Sequence, residues 1–211
     1  MSESYTLGLI LTLVGGFLDA YTYICRGGVF ANAQTGNIVL MSIKLAELDI
    51  KGGLYYLIPI LAFMCGIFFS EKIKKHCKEM AMIHWRQIII GFEIIVLIGI
   101  TFVPQRYNVA VNVLVSFVCS LQVQSFRKIS GIAYASTMCT GNLRSGTEQL
   151  CTYIRGGERK HLQHAFKYYG VILVFSIGAA FGGIMVNDIG IESILFACAG
   201  LSIAFIMMFM K

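Results

Sequence analysis

Apolar residues along this chain come in long runs, not in the alternation of a half-buried strand or the single stripe of a surface helix. Six runs, at residues 7–25, 54–70, 87–103, 109–126, 166–186 and 191–210, approach the roughly 20 residues that a helix needs to cross a bilayer. Charges, Gly, Pro or Asn bound each of them. They predict six transmembrane helices. Two further segments, 29–46 and 132–153, are apolar but interrupted, the second more than the first.

The interrupted segments share a motif. One reads Ala33-Gln34-Thr35-Gly36-Asn37 and the other Met138-Cys139-Thr140-Gly141-Asn142, offset by 105 residues. The spans that follow also correspond. Phe63, Gly66 and Phe69 match Phe175, Gly178 and Phe181 at an offset of 112, and Tyr55-Tyr56 matches Tyr168-Tyr169 at 113. A repeated tripeptide together with a repeated order of apolar runs points to an internal duplication.

Charge sets the orientation. The loop 71–86 carries Lys72, Lys74, Lys75, Lys78 and Arg86, and the loop 153–167 carries Arg155, Arg159, Lys160 and Lys167. The positive-inside rule puts both in the cytoplasm, so an even number of crossings separates them. Three apolar segments lie between them, so one does not cross. Segment 132–153, with Arg144 and Glu148, is the one expected to enter and leave on the same face. By the duplication, 29–46 is re-entrant from the other face. The expected fold is an all-α integral membrane protein of two inverted repeats, about residues 1–105 and 106–211. Each repeat has three transmembrane helices plus one broken re-entrant helix hairpin, and both termini are cytoplasmic. Of the 17 Lys and Arg, 13 then lie inside or on the inward hairpin, leaving Arg26, Lys44, Lys51 and Arg106.

Composition agrees. Hydrophobic residues make up 57% of the 211 and charged residues only 13%. A soluble domain is about 25% charged, so much of this surface is expected to face lipid. The net charge of +6 sits mostly in loops, which argues for topology and against nucleic-acid binding. No Lys or Arg precedes the first run, so that run is expected to stay as a span and not to be a cleaved signal. The seven Cys form no C-x-x-C pair, and Cys25, Cys65, Cys119, Cys139, Cys151 and Cys198, within or beside apolar runs, read as small buried thiols. His76, Cys77 and His84 share a loop without a recognised metal-ligand spacing, so no metal site and no cofactor are expected.

The candidate chemistry sits at the breaks. Backbone at membrane depth must be satisfied internally, and a broken helix is tolerated only against protein or a wet cavity. Thr is a competent N-cap, and a helix can run from each triplet, over 36–47 and 141–154, for about 18 Å or half a bilayer. Inversion brings the two half-helix N-termini toward each other. Their free N–H groups and positive dipole ends favour an anion or the negative end of a polar solute. The bland alternative is that the triplets only permit close packing.

Thr35, Gly36, Asn37, Thr140, Gly141 and Asn142 are therefore the expected lining. Asp19, in the first span, is costly at depth and either binds a proton or cation or hydrogen-bonds the hairpin. Asn32, Gln34, Gln122 and Gln124 are further polar candidates, with Tyr21, Tyr23 and Phe30 as walls. Arg144 and Glu148 stand at i, i+4, an ion-pair spacing that leaves Arg144 open as a substrate contact. Glu93 is expected to find Arg127 or Lys128.

Gly16-Phe17-Leu18-Asp19-Ala20-Tyr21, then Gly28-Val29-Phe30-Ala31-Asn32 and Thr35-Gly36-Asn37, resemble the YoaK-like family of small bacterial membrane proteins. Leu121-Gln122 and Thr140-Gly141-Asn142 match the family's second-half motifs, although Val123-Gln124 stands where the family usually has Asn-Ala. The resemblance covers nearly the whole chain and implies a bacterial inner-membrane protein. It implies no substrate.

The expected function is a transporter or channel for a small polar or anionic solute, with proton coupling through Asp19 as an option and a homodimer as the assembly. The alternatives are a non-conducting membrane scaffold or regulator, or an intramembrane enzyme. The chain lacks H-E-x-x-H, G-x-S-x-G and clustered His/Asp, which weighs against an enzyme.

Overall fold

The computed structural model describes residues 4–77, 85–134 and 136–209. The described residues are mostly helical, with short loops and one two-stranded hairpin between the helices. In order, the helices are α1 (Tyr5–Cys25), α2 (Gln34–Ala46), α3 (Ile50–Cys77), α4 (Trp85–Thr101), α5 (Asn108–Ser125), α6 (Cys139–Ile154), α7 (Arg159–Ile189) and α8 (Ile194–Met207). Between α5 and α6, β1 (Lys128–Ile129) pairs antiparallel with β2 (Ile132–Ala133). Each apolar run read from the sequence falls on a helix, and the two interrupted segments give α2 and α6. Part of the first basic loop, with Lys78 and His84, lies outside the described residues.

Four helical stretches are long and apolar enough to cross a membrane: Tyr5–Cys25, Ile50–His76, Gln105–Ser125 and Arg159–Met207. The last divides into α7 and α8 at Gly190, and α4 adds a shorter apolar helix of 17 residues. Of these apolar stretches, 67% of the first and 56% of the third are buried, against 17% of the second. So α1 and α5 form the centre. The outward faces of α3, α4, α7 and α8 carry Phe68, Ile95, Leu173 and Ile206, all more than half exposed. An apolar exterior of this kind suits lipid and not water.

The packing order is regular. α1 lies against α7 and α8, and α5 lies against α3 and α4. α2 runs along α3, α6 runs along α7, and α4 meets α8. Small residues set the close crossings. A Cβ on Gly16 would sit 2.1 Å from the Phe175 carbonyl oxygen, and one on Gly178 would sit 2.1 Å from that of Leu13. On the other crossing, a Cβ on Gly66 would come within 2.5 Å of the Phe117 carbonyl oxygen. Backbones this close gain dispersion contacts that lipid-embedded helices need in place of a hydrophobic driving force.

Candidate functional site

The loops leading into α2 and α6 are buried, with Val29, Ala31, Ser136 and Thr137 all 6% exposed or less. Buried loop backbone needs partners. Asp19 on α1 supplies them for the first loop. Its Oδ1 accepts the Asn32 N–H at 2.6 Å and the Ala33 N–H at 3.4 Å, just ahead of the α2 N-terminus. The other carboxylate oxygen, Oδ2, is buried and reaches no partner. Of the two roles open for Asp19, hydrogen bonding to the hairpin is present, and the positive end of α2 already faces a resident carboxylate.

Asn32 turns its amide back to α1, donating to the Gly15 carbonyl at 3.3 Å. The second loop arrives at the same place, because Thr137 Cγ2 lies 2.6 Å from where a Gly15 Cβ would be. Asn32 and Thr137 are 105 apart in sequence, the offset of the triplets. Gly15 is therefore the point where both loops meet α1.

The two triplets are arranged alike. α2 begins at Gln34 and α6 at Cys139, two residues earlier than expected, and neither has a side-chain cap. Each Thr therefore sits in the first turn and does not cap it. Thr35 and Thr140 are exposed, while Asn37 and Asn142 are buried. Asn37 is a clamp. Its Oδ1 accepts the Phe30 N–H at 2.9 Å and its Nδ2 donates to the Phe30 carbonyl at 2.8 Å and to Gln34 Oε1 at 2.9 Å. Gln34 Nε2 returns to the Ala31 carbonyl at 3.0 Å. Gly36 faces the Phe30 ring, and Gly141 has open space around it. Tyr23 stacks on Phe30 with ring centroids 4.6 Å apart, whereas Tyr21 is fully buried.

The remaining candidates separate. Gln122 donates to Glu93 Oε2 at 3.2 Å inside the bundle, so the partner of Glu93 is this amide and not Arg127 or Lys128, which are exposed. Gln124 donates instead to Glu71, away from the centre. Cys65 and Cys151 are exposed rather than buried.

These motifs decide the family. The chain belongs to DUF1275, a family of proteins of unknown function whose profile matches residues 7–208. It is also 23% identical over 185 residues to the UPF0700 transmembrane protein YoaK of Bacillus subtilis (strain 168), covering 82% of this chain and 80% of that protein. No solved structure matches. This DUF1275 chain is thus a member of a transmembrane family with no assigned activity.

One open groove of about 660 Å³ runs along α6. Thr140, Arg144, Thr147, Glu148, Cys151 and Arg155 are among the residues that line it. Arg144 Nε pairs with Glu148 Oε1 at 2.8 Å, and both remain largely exposed. The i, i+4 pair is therefore real, and Arg144 is still accessible to a ligand. With Arg155, the groove carries one more positive than negative side chain.

Sequence reasoning missed Arg26. It is fully buried, although it stands among loop residues. It donates to the Tyr21 hydroxyl at 2.9 Å and to the Val103 and Ile100 carbonyls, at 2.8 and 3.3 Å, at the C-terminal end of α4. A cation there meets the negative end of the helix dipole. Its own carbonyl accepts from Asn112 Nδ2 at 2.8 Å and the Tyr55 hydroxyl at 3.1 Å. Gly27, at φ +90, makes the turn directly after it, and a Cβ there would strike the Tyr55 hydroxyl. The Gly27-Gly28 pair was the available signal for this tight turn.

Proposed function

We propose that this chain is a transporter or channel for a small anionic or polar solute, built from two inverted repeats of about residues 1–105 and 106–211. The order of packing supports the repeat. Exchanging α1–α4 for α5–α8 maps every major contact onto another: α1 on α7 becomes α5 on α3, α2 on α3 becomes α6 on α7, α1 on α8 becomes α5 on α4, and α4 on α8 maps onto itself. An inverted duplication produces such a pattern, and transporters with broken half-helices commonly have it. In this reading α2 and α6 are re-entrant, and the basic loops and both termini lie in the cytoplasm of a bacterial inner membrane.

The observation that carries the function is the convergence of two buried loops on Gly15, each leading into a short helix with an exposed Thr and a buried Asn. Non-helical backbone at membrane depth belongs to a protein-lined or wet path. The solute approaches along the α6 groove, where Thr140, Arg144 and Arg155 favour negative charge. It meets the α6 N-terminus, because Asp19 already serves that of α2. A titrating Asp19 at this junction would couple protons to solute movement. The charged side chains of this groove, exposed on a single copy, are poorly suited to lipid, and a homodimer would shelter them.

The test is uptake of a panel of small anions and neutral polar solutes into proteoliposomes, with wild type and Arg144→Gln. Uptake above protein-free vesicles that falls in the variant supports the proposal. No uptake of any member under either sign of membrane potential would overturn it.

A further inference from the structure

Eight buried side-chain polar atoms among the described residues reach no hydrogen-bond partner. Native interiors rarely leave such atoms unserved. Here they are not scattered. Three belong to Asn108, Asn112 and Ser116, four residues apart on one face of α5. Cys119 and Gln122 continue that face, and the stretch covers about 21 Å at 1.5 Å per residue. At its far end Gln122 holds Glu93, whose Oε1 is the fourth orphan.

The line then crosses to α1. The Cys119 thiol lies beside Asn32 and within electrostatic reach of both Glu93 and Asp19. Asn32 Oδ1 and Asp19 Oδ2 are orphans, joined through the Asn32 N–H on Asp19. Thr137 and Ser136 follow on the second loop, Thr137 against Gly15 and Ser136 beside the Tyr134 hydroxyl. Tyr134 in turn donates to the Gly8 carbonyl at 2.7 Å and meets Thr12. Gly8, Thr12, Gly15 and Asp19 lie on successive turns of one face of α1. The eight orphans thus lie on one face of α5, on the α4 carboxyl that Gln122 holds, on Asp19 of α1 and on the two loops packed against α1, and both buried carboxyls are among them.

We propose that these orphans mark a hydrated proton path, a file of water held by the orphaned oxygens, with Glu93 and Asp19 as its proton-accepting stations. The chemistry of the orphans selects water. Carboxylate and amide oxygens only accept, so they need a donor, while the Ser116, Ser136 and Thr137 hydroxyls both donate and accept. A water file between such groups passes protons by hopping. Each member takes one proton and releases another, which leaves the composition unchanged and the hydrogen bonds reversed, and the waters turn back before the next proton passes. A bound metal fits less well, since no group of three His, Cys, Asp or Glu gathers among the described residues. Neither carboxyl forms an ion pair there. Cys119 and Cys139 lie within electrostatic range of Asp19, and Cys119 and Cys198 within that of Glu93.

The inference rests on the membrane reading above and on Asp19 as a coupling group. It adds Glu93 and a route. The test is proton entry into vesicles of phosphatidylethanolamine and phosphatidylglycerol holding a trapped pH dye, driven by a potassium diffusion potential with no solute present. Wild type should acidify the lumen on the order of tenfold faster than protein-free vesicles, and Glu93→Gln should return it near that baseline. Ser116→Ala, which removes one orphan without adding bulk, should slow it partway. Ser202→Ala, off the route on α8, should not change it. Acidification no faster than in protein-free vesicles, or wild-type rates in folded Glu93→Gln, overturns the proposal. Should Glu93→Gln not fold, unchanged rates in Ser116→Ala overturn it instead. Proton entry without anion uptake would sink only the transport reading, and the converse would sink only this one.

Discussion

Asp19 Oδ1 accepts the Asn32 backbone N–H at 2.6 Å, so a side chain from the middle of α1 holds the loop that starts α2. Removing that acceptor leaves buried N–H groups unpaired. Asp19→Leu should destabilise the protein by about 1–3 kcal/mol, seen as a Tm several degrees lower in detergent. Asp19→Asn keeps an acceptor and should lose less. If Asp19 titrates during transport, Asp19→Asn should also flatten the pH dependence of solute flux between acid and neutral pH. A variant with the full wild-type profile would leave Asp19 a purely structural role.

The crossing of α1 and α7 depends on having no side chain at two positions. Gly16→Val and Gly178→Val each drive carbon atoms into a backbone carbonyl of the other helix. Overpacking of this kind costs about 1–3 kcal/mol or more, so both variants should elute as aggregate or melt early. Gly183→Ala meets only the Ile24 Cδ1 at 3.7 Å and should behave as wild type in the same assay.

The two triplet glycines should respond differently. A Cβ at Gly36 falls 2.8 Å from the Phe30 ring, and Asn37 holds the Phe30 backbone in place, so Gly36→Val should disturb the first loop and lower Tm. Nothing lies within 4 Å of the corresponding point on Gly141. Gly141→Val should therefore fold normally. Loss of flux in that variant would report a blocked path at the α6 N-terminus, and normal flux would place the path elsewhere.

The inverted-repeat reading fixes the sidedness of single cysteines. Cysteines placed at Lys74 and at Arg159, in a background without the native thiols, should react with an impermeant maleimide only in inside-out vesicles. One placed at Arg106 should react only from the opposite side. Reaction of the Lys74 and Arg159 positions from opposite faces would refute the topology.

The sequence by itself determined the elements. Runs of twenty apolar residues have few alternatives to a helix in lipid, and the six runs and two interrupted segments map onto the helices with shifts of a few residues at the short ones. Matched glycines and the Thr-Gly-Asn triplets at a common spacing pointed to a duplication. Asp19 stood out because a lone carboxylate in an apolar run is expensive, and it does lie at the junction of the loops. What each polar residue touches was decided only by tertiary structure. Asn37 serves Phe30, Gln122 serves Glu93, and Gln124 goes to Glu71, because those partners are distant in sequence or reached through a turn that no local pattern encodes. Arg26 looked like a surface cation beside two glycines. Only the arrival of the α4 C-terminus gives its guanidinium three acceptors and makes its burial affordable. The line of orphaned oxygens was likewise invisible in one dimension. It exists because α5 keeps its small polar residues on one face and both loops are drawn in against α1.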